Sequence, residues 1–171
     1  MNTLFLAFRI LHVLLGGAWI GAAIFSAFFF MPAVQEVGPD GGKVVAAMMR
    51  RKLVPYIASI SGLTVVTGLY LYWHFTAGFD PVLSASRGGR IFGTGGVLGI
   101  IAAILATGGV TRSMKQAMAL MAQAAKTTDP TGRGALLERA GILRQRARTF
   151  ATIVALLLVA TIMLMAVGHY V

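Results

Sequence analysis

The sequence predicts an all-α integral membrane protein, an antiparallel up-down four-helix bundle formed by one domain over residues 1–171. Three observations predict it. Four apolar segments each reach the roughly 20 residues that a helix needs to cross a bilayer. Of the 171 residues, 57% are hydrophobic and only 12% are charged, against roughly 25% charged in a water-soluble domain. That charge is too sparse to cover a water-facing surface, and most of it sits between the apolar segments rather than within them.

The first span is read over residues 3–33. Its apolar run from Ile10 to Val34 exceeds the core of about 7–15 residues in a signal peptide, and no lysine-rich stretch precedes it. It is therefore expected to be a retained span. Its end is expected at Met31-Pro32, because proline lacks the N–H and crowds the preceding turn. The connection 35–53 holds the turn Gly38-Pro39-Asp40-Gly41-Gly42 and a short amphipathic piece ending in Arg50-Arg51-Lys52. The second span is read over 55–76. Residues 77–89 contain Asp80-Pro81 and Gly88-Gly89 and read as a loop. The third span covers 90–111 and the fourth 149–170. Between them, residues 112–148 read as a helical hairpin broken at Thr127-Thr128-Asp129-Pro130-Thr131-Gly132. The third and fourth helices are expected to project past the membrane and meet at that break.

Lysine and arginine set the orientation. Twelve lie in the first and third connections: Lys43, Arg50, Arg51, Lys52, Arg112, Lys115, Lys126, Arg133, Arg139, Arg144, Arg146 and Arg148. The other side holds Arg9, Arg87 and Arg90. The positive-inside rule then predicts a multi-pass protein of the cell inner (plasma) membrane, with both termini outside, on the periplasmic face, and both basic connections in the cytoplasm. The net charge of +10 points to anionic lipid at the cytoplasmic face. Nucleic acid is excluded as a partner, since the basic residues alternate with membrane spans. Cysteine is absent, which excludes disulfides and thiol chemistry.

Small residues run along the spans. Gly17-x-x-x-Gly21 and Gly95-x-x-x-Gly99 are spaced for close helix approach, and Gly62 and Gly68 are small residues of the second span. The five acids, Glu36, Asp40, Asp80, Asp129 and Glu138, all lie in connections. Hydrolase chemistry and proton-coupled transport, which use an acid–histidine relay or an intramembrane carboxylate, are therefore not expected.

The three histidines, His12, His74 and His169, carry the chemical expectation. In the predicted orientation all three fall toward the outer ends of their helices. Imidazole is a donor for haem iron, copper or zinc. Two histidines on different helices can clamp a haem b, with iron between them. His12 and His74 are the expected pair. Gly16, one turn below His12, would help form a slot for the macrocycle. Arg9, Arg90 and Arg87 would meet the propionates. The bland alternatives are a buried histidine bonded to a carbonyl for His12, and aromatic-belt anchors for His74, after Tyr70, Tyr72 and Trp73, and for His169, before Tyr170.

The stretch Leu11-His12-Val13-Leu14, then Ala18-Trp19-Ile20-Gly21, then Phe28-Phe29-Phe30-Met31-Pro32-Ala33 resembles the opening helix of membrane proteins related to the copper-resistance protein D family. Gly62-Leu63-Thr64-Val65-Val66-Thr67-Gly68-Leu69-Tyr70 fits the same likeness, which covers about the first 75 residues. The resemblance implies copper handling or, in related membrane proteins, a bound b-type haem, with His12 as the residue carried over. The chain is also similar in size, helix count and first-helix histidine to the small J-type membrane protoporphyrinogen oxidases. Those pair the histidine with a lysine in a later span, whereas residues 91–110 here contain none.

The leading expectation is a membrane haem b protein for electron transfer, its iron passing electrons between a quinol or reductase and a periplasmic redox partner. One alternative is copper binding or transport; Met114, Met118 and Met121, however, lie at helical spacing that suits packing. Another is a non-catalytic subunit or assembly factor that docks through the basic hairpin. Beyond the bilayer itself, a second copy of the chain completes the expected partners.

Overall fold

The structure is a computed structural model. It describes residues 3–168 and Tyr170, with Pro39 described through its backbone alone. Among the described residues every regular element is helical, and four helical stretches are long and apolar enough to cross a membrane.

The first stretch, Thr3–Glu36, is α1 (Thr3–Phe25), a π-helical turn (Ser26–Phe30) and α2 (Met31–Glu36). Pro32 does not end it, contrary to the sequence expectation. It falls in the first turn of α2, directly after the π turn. That turn resets the hydrogen-bond register, so the N–H that proline lacks costs little there. After the one-turn 3₁₀ segment Gly38–Asp40, the amphipathic piece is α3 (Gly41–Arg50). Arg51 and Lys52 turn the chain, Lys52 in the left-handed region at φ 59°. Helix α4 (Leu53–Phe75) is the second span.

The connection expected to be a loop contains α5 (Pro81–Ala85). The cause is a cap at each end. The Asp80 carboxylate accepts from the N–H groups of Val82 and Leu83, both at 2.9 Å, with Pro81 in the first turn. Ser86 Oγ accepts from Gly89 N–H at 3.0 Å and starts α6 (Arg87–Leu105), so Gly88 and Gly89 lie inside a helix. A second π turn (Ala106–Thr111) links α6 to α7 (Arg112–Ala124). Together these make one stretch of 38 residues, about 57 Å at ~1.5 Å per residue.

Helix α8 (Pro130–Val167) is as long. Asp129 caps it by accepting from Thr131 N–H at 3.3 Å and Gly132 N–H at 2.7 Å, with Pro130 in the first turn. The hydrocarbon core is only ~30 Å thick, so the third and fourth stretches project well beyond it and meet at residues 125–129, as expected.

The helices form two tight antiparallel pairs, α1 with α4 and α6–α7 with α8, joined more loosely to each other. The hydrophobic clusters lie from mid-bundle toward the end that carries the basic connections. One centres on Trp19, Ile60, Ala102, Val154 and Leu158, the next on Ala27, Ala151 and Ala155, the last on Val45, Met114 and Ala147. Met114 and Met118 thus pack in the core. No described buried side-chain polar atom lacks a hydrogen-bond partner, the condition a span must meet where water is absent.

Candidate functional site

The small-residue positions sort by what faces them. Gly95 meets Met165, Leu164 and Thr161 of α8, and Gly99 meets Thr161, so that expected contact is made. Gly17, Gly21 and Gly62 face open space. The expected Gly17-x-x-x-Gly21 contact is therefore not made within the chain. Gly16 stands 3.6 Å from the Thr64 methyl, measured from where its Cβ would be. It lies on the face of α1 that meets α4.

Gly68 has the specific role. A Cβ there would sit 2.8 Å from His12 Cε1 and 3.3 Å from Nδ1. The missing side chain is the notch that receives the imidazole. His12 Nδ1 lies 2.9 Å from the Thr64 carbonyl oxygen and 3.1 Å from Thr67 Oγ1. A carbonyl oxygen only accepts, so Nδ1 carries the proton and donates. Thr67 is positioned to accept because its own hydroxyl donates to Leu63 O at 2.7 Å, with Thr64 O at 3.0 Å. Thr64 Oγ1 likewise donates to Ile60 O at 2.7 Å. Each threonine thus spends its proton on its own helix and turns a polar edge to the seam. In the neutral ring this tautomer leaves the Nε2 lone pair on the edge away from that bond. A backbone carbonyl holding Nδ1–H is the arrangement that orients a metal-ligating histidine.

His74 is placed differently. It is exposed and belongs to an aromatic group at the end of the α1–α4 pair. Its ring centroid is 4.6 Å from Phe5 and 6.3 Å from Tyr70, which in turn packs 4.2 Å from Phe8 and 6.2 Å from Trp73. Aromatic side chains of this kind are enriched where helices meet the membrane–water interface. His12 contacts α4 at Gly68, six residues before His74, so the two histidines are offset by about 9 Å along the helix at ~1.5 Å per residue. His169 lies outside the described residues. Arg9, Arg87 and Arg90 are exposed toward the same end. Among the described residues, no three His, Cys, Asp or Glu side chains converge as a metal site.

Sequence reasoning missed Thr64 and Thr67 as partners of His12. The signal was present: two hydroxyls three residues apart, followed by glycine, on one face of an apolar span.

The fold and this seam define a class, the multi-pass four-helix membrane protein with a hydrogen-bonded histidine between its first two spans. No protein-family model matches the chain, and no curated protein or solved structure matches it either.

Proposed function

We propose that the protein is a b-type haem protein of the membrane that passes single electrons, with His12 as the ligand to iron. The observation that carries this reading is the His12 Nδ1–H bond to the Thr64 carbonyl at 2.9 Å, which leaves Nε2 as the donor atom. Haem supplies four nitrogens of its own and asks one or two ligands of the protein. A bare copper ion asks more of the side chains, and among the described residues no three His, Cys, Asp or Glu side chains come together. That difference favours haem over the copper alternative. A bound haem would supply the ferrous–ferric couple. The chain's own part is to fix the imidazole through Thr64 and Thr67, to seat it in the Gly68 notch, and to offer Arg9 and Arg90 to the propionates. In this reading the histidine end faces the periplasm and the basic end the cytoplasm, following the lysine and arginine asymmetry.

The test is an optical spectrum of protein purified after haem-replete expression, oxidised and then reduced. A Soret band that shifts on reduction is expected, and it should be lost in His12→Ala and kept in His74→Ala. A folded protein with no such band, or an unchanged band in folded His12→Ala, would sink the assignment.

A further inference from the structure

The opposite end of the bundle holds a different kind of space. A cavity of about 140 Å³ lies between α1, α3, α4, the second π turn and α8. Trp19, Ile57, Val110 and Val154 are among its walls. Both π turns reach it, the first through Ser26 and Phe30, the second through Thr107 and Thr111. A π turn adds a residue to a helical turn and redirects the side chains after it, so two of them on one cavity mark a place where both helices depart from ideal packing.

Three of the four hydroxyls on this wall are already bonded. Ser61 Oγ donates to Ala58 O at 3.0 Å, Thr107 Oγ1 to Ala103 O, and Thr111 Oγ1 to Ala106 O at 3.1 Å. These three protons are committed to their own helices; the Ser26 hydroxyl and the Trp19 indole N–H are the other polar groups on a wall that is otherwise apolar. A space of this size with mainly apolar walls favours an apolar guest.

The mouth is cationic. Met48 and Leu53 belong both to the cavity wall and to a surface groove that contains Arg51, Lys52, Tyr56 and Ser59. Arg51 and Lys52 are exposed. The ion pair found among the described residues, Lys43 with Asp40 at 2.6 Å, involves neither. A mainly apolar cavity that continues into a pair of cations is complementary to one chemistry: a hydrocarbon chain carrying an anionic head.

We propose that this end of the bundle is a binding site for an anionic phospholipid, with part of one acyl chain in the cavity and the phosphate against Arg51 and Lys52. The cations select the head group, and the cavity holds the lipid longer than a charged surface alone would hold it.

Trp19 reports on the site, because it lines the cavity and is only 3% exposed. Trp73→Phe leaves it the single tryptophan. This variant is reconstituted in phosphatidylcholine vesicles containing an equal minor fraction of acyl-brominated phosphatidylglycerol or of acyl-brominated phosphatidylcholine, and Trp19 fluorescence is read. Bromine quenches at contact range. Phosphatidylglycerol is expected to quench several-fold more than phosphatidylcholine. Adding Arg51→Gln and Lys52→Gln should bring the two lipids level, and adding Ala22→Phe, which fills the cavity, should weaken quenching by both. Equal quenching by the two lipids without those substitutions would overturn the proposal, as would a preference that survives the loss of both cations.

Discussion

The two helix pairs are fastened by different physics. The α6–α7 stretch and α8 close on alanine: Ala102, Ala117, Ala140, Ala147 and Ala155 are all fully buried, and Gly109 presses on Phe150, where a Cβ would come within 2.6 Å of the ring. The attraction is dispersion spread over many small contacts along two 38-residue stretches. The α1–α4 pair is also packed along its length, with Phe5 on His74, Phe8 on Tyr70, and Trp19 and Ile60 in one cluster, and it adds a polar fastening, His12 on Thr64 and Thr67 over Gly68. A distributed seam resists change at any one point. A point fastening sets register and places one chemically versatile side chain, and it can be altered by one residue. The difference is that in the α1–α4 pair one residue carries both a polar contact across the seam and a chemically versatile side chain.

Breaking the alanine seam should have the largest effect. Ala155→Phe introduces a ring where no space exists, and a loss of about 3 kcal/mol is expected in reversible denaturation in detergent micelles, the upper end of what overpacking costs. Gly68→Leu should come next, at about 2 kcal/mol, because it expels the imidazole and strains the α1–α4 contact together. It should also abolish the Soret band. His12→Ala sharpens the contrast. Its stability loss should be only ~1 kcal/mol, the range of hydrogen bonds between membrane helices, yet its loss of haem should be complete. A stability loss as large as that of Ala155→Phe would show that His12 is chiefly structural. Gly21→Leu should be the mildest, within about 0.5 kcal/mol in micelles, since nothing stands within 4 Å of its Cβ position. A large effect there would mean that this face of α1 is covered by another chain.

Much of the architecture was legible without coordinates, because membrane insertion depends on sums over many residues. Twenty apolar residues in a row make a span whichever neighbours it finds. The break at Asp129-Pro130 was legible because its cap is local. Pro32 and the 77–89 connection were misjudged for a related reason. Proline and glycine were read as interruptions, although Asp80 and Ser86 are helix caps, and a π turn upstream makes Pro32 an acceptable first-turn residue. The candidate site was half legible. His12 stood out as an ionisable group in an apolar span, and Gly68 as a small residue. Their meeting could not be read, because it depends on the register between two antiparallel helices.

The sequence by itself determined that the chain crosses a membrane four times, which end is basic, and that His12 is set among apolar neighbours, since each of these follows from composition over a segment. Only the tertiary structure decided what the pairs do with those segments. It set His12 against Gly68 with its proton on Thr64, left His74 about 9 Å further along the axis at ~1.5 Å per residue, turned Gly17 and Gly21 outward, and aligned two π turns on one cavity beside Arg51 and Lys52. These outcomes depend on how one helix is rotated and shifted against another, and that is set by packing between segments distant in the chain.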